Sequence, residues 1–199
     1  MMARIEHLAS NTSGYMICLH YGGKAQYALW LTGEQPEYLL MHEGRLLLAA
    51  SREALLQLVP EHVTLMEVES VTHYHLDDVM VMIRSARPAR VPDKAWFSTI
   101  LNAWNMMEDI ARTLGYTLPP YATTRRKAVD WAYHLLFCGA DVLDDLSAED
   151  RQTLPWRRRD HVVTRDYLTR AWARLRPHLA LESDRAVLRP FRPRRPRRA

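Results

Sequence analysis

The 199-residue chain predicts an α+β fold: an N-terminal antiparallel β-meander carrying one short helix, followed by a C-terminal bundle of about three to four helices. Three observations predict it. Residues 14–71 carry short β-prone runs broken at glycine and proline turns. Residues 93–180 change to an apolar spacing of three and four, with cap residues at the run ends. Between the two lies a linker, residues 84–93, interrupted by Pro88 and Pro92.

The elements follow in order. Residues 15–21 form a β-prone run that ends at Gly22-Gly23, a turn signal, and residues 27–31 form the next strand. Residues 38–42 and 45–50 flank Glu43-Gly44, the pattern of a tight hairpin. Ser51 is placed to cap a helix over 52–59, whose inner face would hold Ala54, Leu55 and Leu58 before Pro60 stops it. Residues 63–71 alternate and read as a further strand.

The helical half starts at Asp93, a good N-cap. Trp96, Ile100, Ala103, Trp104, Met107, Ile110 and Ala111 then recur at helical spacing up to Gly115. Thr123 or Thr124 caps a helix that runs to Cys138, with Ala128, Val129, Ala132, Leu135 and Leu136 inward and Gly139 as its stop. Residues 147–150 resemble a helix start. Thr164 is placed to cap a last helix presenting Tyr167, Leu168, Ala171, Trp172 and Leu175. We read residues 1–183 as a single domain, with its β-rich part at 14–71 and its helical part at 93–180.

Residues 184–199 are a different polymer. Residues 185–199 hold seven arginines and no acid, and apolar surface is sparse, so ordering the backbone at about 1–2 kcal/mol per residue would go uncompensated. We expect a disordered Arg/Pro-rich tail. The formal net charge of +4 therefore misleads: without those seven, 20 of the 27 basic residues stand against 23 acidic ones, and the body is mildly acidic.

Several function classes find no support. No apolar run is long enough to span a bilayer, and the first thirteen residues lack the apolar stretch of a secretory signal, so a cytoplasmic location is expected. Cys18 and Cys138, 120 positions apart, make neither a disulfide framework nor a zinc motif and read as reduced thiols. No nucleophile elbow is present, and Gly22-Gly23-Lys24 lacks the further glycines and the following helix of a phosphate loop. No cofactor is implied, and the chain reads as non-enzymatic.

Three patterns carry candidate function. Asn102, Asn105 and Asp109 share one helix face, opposite the tryptophan-led one, and Glu108 is an acidic neighbour of Asp109. Asp141, Asp144 and Asp145 form an acidic cluster after the second long helix, without the ligand order or central glycine of an EF-hand. We take Asn105, Glu108, Asp109, Asp141, Asp144 and Asp145 as partner-binding candidates, and Trp30 and Trp156 as the tryptophans to test for exposure. Arg192, Arg194, Arg195, Arg197 and Arg198 would bind nucleic acid nonspecifically through phosphate neutralisation, the first alternative. The second is a zinc-dependent hydrolase. Residues 72–78, Thr-His-Tyr-His-Leu-Asp-Asp, resemble the zinc-binding segment of the metallo-β-lactamase fold and would offer His73, His75 and Asp77. That family's last histidine is Asp78 here, and residues 79–82 stand where its glycine pair follows; the plainer reading is a strand that ends in a polar turn.

Residues 15–140 carry a further resemblance. A meander leads to Tyr74-His-Leu-Asp-Asp78, then to Ile100-Leu-Asn-Ala-Trp-Asn-Met-Met-Glu-Asp-Ile-Ala111, then to Tyr133-His-Leu-Leu-Phe137. This resembles small bacterial immunity proteins of polymorphic or contact-dependent toxin systems. The resemblance implies stoichiometric inhibition of a cognate toxin without turnover. The acidic body fits a basic protein partner.

Overall fold

The computed structural model describes residues 12–32, 37–42, 44–61, 63–66, 70–85, 91–118, 123–140, 147 and 154–179. The fold is α+β, a mixed but antiparallel-rich sheet followed by helices.

Strands β1 (Ser13–Tyr21) and β2 (Lys24–Thr32) pair antiparallel along their full length, from Ser13 opposite Thr32 to Tyr21 opposite Lys24. Gly22 and Gly23 join them at φ 58° and 72°. Two successive left-handed residues make the hairpin turn whose twist matches the strands, and glycine adopts them without steric cost. Strand β3 (Tyr38–Leu39) extends the sheet beyond β2, and β4 (Met41–His42) with β5 (Arg45–Leu46) forms a separate small hairpin. Ser51 caps α1 (Arg52–Leu56) by accepting the Ala54 amide at 3.1 Å. This helix ends three residues short of the expected one, before Leu58, which is exposed.

Within the region expected as one strand over 63–71 the described strand is Thr64–Met66, and a second strand follows beyond that region. Strands β6 (Thr64–Met66) and β7 (Thr72–His75) both lie on the free edge of β1, and both run parallel to it. The chain reaches that edge by crossing over through α1, and a strand that returns after a crossover can run parallel, unlike one joined by a tight turn. Where the sequence reads a strand ending in a polar turn at 72–78, the strand β7 is present but no turn follows it: β7 passes straight into α2 (Leu76–Ser85), with Asp77 and Asp78 in the first helical turn. Leu76, Val79, Met80 and Ile83 sit at i, i+3, i+4 and i+7, and all four are buried.

Helix α3 (Lys94–Thr113) begins where expected, with the Asp93 carboxylate accepting the Trp96 amide at 2.8 Å. Helices α4 (Thr123–Gly139) and α5 (Arg158–Leu175) follow, the latter closed by a 3₁₀ turn at Arg176–His178. Thr164 does not cap α5. The Asp160 carboxylate caps it by accepting the Arg157 amide at 2.8 Å, and the Thr164 hydroxyl donates to the Asp160 carbonyl at 2.9 Å inside the helix.

The two faces of β1 go to different places. Ile17, Leu19 and Tyr21 join the main core with Ile83, Ile100, Trp104 and Tyr167 from the helices. On the other face, Met16 packs with Leu55 of α1, and Leu29 and Leu31 of β2 pack with Leu40 and Val63. Among the described residues, no helix is long and apolar enough to cross a membrane. The helix start expected at 147–150, apart from Ser147 itself, and the tail 184–199 lie outside the described residues.

Candidate functional site

A cleft of about 660 Å³ opens between the sheet and helices α3 and α4. Helix α3 supplies Asn102, Asn105, Glu108, Asp109 and Arg112; α4 supplies Asp130 and Tyr133; the sheet side supplies Trp30, Glu37 and Tyr74. Positions 102, 105, 109 and 112 fall on one helical stripe, which is why α3 delivers most of the polar lining.

The floor is an ion pair. Asp109 is only 7% exposed, although the sequence places it on a polar stripe opposite the apolar one. An Arg112 guanidinium nitrogen lies 2.6 Å from its carboxylate and also donates to the Glu37 carbonyl at 2.9 Å. Burial pushes the Asp109 carboxyl above its ordinary range, against the hydrogen bond and charge of Arg112. One residue on, the Thr113 hydroxyl donates to the Asp109 carbonyl at 2.7 Å and accepts the Leu39 amide at 2.9 Å, which fixes α3 against β3.

The walls are aromatic and hydrogen-bonded. The Tyr133 hydroxyl donates to the Asn105 side-chain oxygen at 2.9 Å, joining α4 to α3. The Tyr167 hydroxyl donates to Glu108, and its ring stacks on Trp104 with centroids 4.0 Å apart. The Tyr74 phenol is raised by burial first, and then by the charges of Asp109 and Glu37. Burial also raises Tyr133, with Glu108 and Asp109 adding to the shift. In both phenols burial is the larger cause, and the neighbouring carboxylates add to it.

Of the residues expected to bind a partner, the fold brings Asn105, Glu108 and Asp109 together here. Asp141, Asp144 and Asp145 lie outside the described residues, as do Arg192, Arg194, Arg195, Arg197 and Arg198. Trp30 is half-buried at the cleft; Trp156 is buried against Trp96 and Phe97. Sequence reasoning missed Glu37, Tyr74, Arg112, Asp130 and Tyr133. Arg112 carried a usable signal, standing three residues after Asp109 on the same stripe; Glu37 and Tyr74 reach the cleft through tertiary packing alone. The described lining contains no thiol, imidazole or aliphatic hydroxyl; its ionisable groups are carboxylates and phenols beside the Arg112 guanidinium.

A second polar cluster lies on β1 and β7. The parallel register sets His73 beside Cys18 and His75 beside His20. Nε2 of His20 and Nδ1 of His73 are 2.8 Å apart, and the His75 ring stacks on His20 with centroids 4.2 Å apart. Burial lowers the His20 pKa, with His75 and His73 adding to the effect, and burial raises the Cys18 thiol. A raised thiol is a poor nucleophile. Asp77 does not turn toward these histidines: its carboxylate accepts the Gly22 amide and ties the start of α2 to the β1–β2 turn.

Comparison of the chain with protein-family models, with curated proteins and with solved structures finds no match.

Proposed function

We propose that the protein is a non-enzymatic binding module whose acidic cleft receives a basic side chain of a partner protein. One observation carries this reading: the described lining holds four carboxylates, Glu37, Glu108, Asp109 and Asp130, against the single guanidinium of Arg112. Arg112 is already committed to Asp109 and to the Glu37 carbonyl, and Asp130 has Arg126 3.9 Å away, so Glu37 and Glu108 carry the excess negative charge of the described lining. Low-dielectric walls concentrate such a field and speed the approach of a cationic surface. Trp30, Tyr74 and Tyr133 add the rigid aromatic contacts that anchor tight interfaces. The resemblance to immunity proteins of bacterial toxin systems points the same way, to a cognate basic toxin neutralised by stoichiometric binding in the cytoplasm.

The test is co-expression with the protein encoded by the neighbouring reading frame, followed by size-exclusion chromatography of the mixture. A one-to-one complex is expected, and it should weaken when Glu37 and Asp130 are each changed to lysine. Unchanged affinity in both variants would remove the cleft from the interface.

A further inference from the structure

The face of β1 and β7 opposite the cleft carries a donor set that the binding reading does not use. Cys18 and His20 stand two apart on β1, so their side chains project to one face. The parallel ladder pairs Cys18 with His73 and His20 with His75, which puts both β7 histidines on that same face. Tyr74, between them in the strand, points the other way into the cleft. One ligand atom each from Cys18, His20 and His73 lies within 4.8 Å of the other two.

We propose that Cys18, His20 and His73 form a site for a borderline-soft divalent cation such as Zn²⁺. A sulfur and two imidazole nitrogens are the donors that this class of ion selects, ahead of Mg²⁺ or Ca²⁺. The geometry needs only small movements. With metal–ligand distances of about 2.0–2.3 Å, a tetrahedral ion spaces its donors about 3.3–3.6 Å apart. The His20–His73 nitrogens at 2.8 Å open slightly, and the pairs with the Cys18 sulfur, at most 4.8 Å apart, close by up to about 1.2 Å. His73 is exposed and free to follow, while Cys18 is fully buried and sets the inner vertex.

The proton balance is simple. In the free protein one hydrogen bridges His20 Nε2 and His73 Nδ1. On binding it moves to the other nitrogen of its own ring, and both imidazoles coordinate as neutral ligands. The Cys18 thiol loses one proton to solvent and binds as thiolate. The fourth position faces water. His75 does not coordinate: its ring lies flat on His20, 10° from parallel, and its Nδ1 is 3.7 Å from Asp78, so it steadies the His20 plane. The ion would pin β7 to β1 along the four-residue ladder from which α2 starts.

The experiment is Co²⁺ titration of the reduced full-length chain, read by thiolate-to-cobalt charge-transfer absorption, with Zn²⁺ as the displacing ion. We expect one equivalent bound, a higher melting temperature with Zn²⁺, and no charge-transfer band in Cys18→Ser. Losing an outer partner of a metal site weakens affinity by about ten- to a hundredfold, so His73→Gln, which loses a ligand, should weaken it by at least about tenfold. Cys138→Ser should behave as wild type. Because Cys18 is buried, far-UV circular dichroism accompanies its variant; if that variant does not fold, the exposed His73→Gln decides. The absence of saturable binding, unchanged affinity in His73→Gln, or a band lost in Cys138→Ser, whose sulfur sits 3.6 Å from His134, would overturn the proposal.

Discussion

Phe97 and Gly139 are in direct opposition across the α3–α4 contact: a Cβ on Gly139 would sit 2.4 Å from Cγ of the Phe97 ring. The sequence reads Gly139 as a helix stop, yet α4 includes it. Its role is to let two helices approach over a buried ring that has no room to retreat, since Phe97 is itself 0% exposed.

Gly139→Ala therefore tests packing against propensity. In a free helix the change would gain about 1 kcal/mol. Here it should lose about 1–3 kcal/mol through overpacking. The sign, read from urea denaturation, separates the two effects.

A buried histidine should make the fold acid-sensitive. His161 is 2% exposed and stacks near Trp96. Burial lowers its pKa, Arg165 adds to the shift, and a hydrogen bond with the Ile83 backbone opposes it. The unfolded state then binds the proton more readily than the folded state. The stability this group contributes is complete above its unfolded value of about 6.5 and is lost as pH falls toward and through its folded one. Denaturation midpoints measured from about pH 8 to pH 5 should fall more steeply in wild type than in His161→Gln. Parallel profiles would show that the ring does not titrate on unfolding.

Asp109 has the opposite sign. Its folded pKa is raised, so the folded state holds the proton longer and stability declines as pH rises from the ordinary carboxylate range through the folded value. Asp109→Asn should flatten that stretch of the profile.

Removing the partner of Asp109 should cost more than removing the pair. Arg112→Gln leaves a buried carboxylate without its guanidinium and should destabilise by about 1–2 kcal/mol, the lower part of the range because Arg112 is half-exposed. The double change Asp109→Asn, Arg112→Gln should recover much of that loss in a double-mutant cycle. Additive single effects would mean that the 2.6 Å contact contributes nothing.

If the cleft steers a basic partner, association should slow as salt rises. Asp130, exposed on α4 and 3.9 Å from Arg126, is the informative position. Asp130→Lys should lower the association rate several-fold at low ionic strength and shrink its salt dependence, with little change in dissociation. A salt-independent rate in wild type would count against electrostatic capture.

The sequence alone determined what depends on local chemistry. Paired glycines at 22 and 23 dictated the hairpin, because only they take two left-handed conformations without strain. The Asp93 cap and the apolar spacing from Trp96 to Ala111 dictated α3, and the polar stripe through Asn105 and Asp109 was visible in the same spacing. Helix α2 was legible too, in Leu76, Val79, Met80 and Ile83, but the histidines just before it drew the reading toward a turn. Tertiary structure decided the rest. The pairing of β7 with β1 joins residues more than fifty positions apart, and no local pattern encodes whether such a strand runs parallel or antiparallel. That choice alone sets His73 beside Cys18 and turns Tyr74 into the cleft. The burial of Asp109 was likewise decided in three dimensions: a helix stripe specifies which residues share a face, while the elements packed against that face specify whether water reaches it.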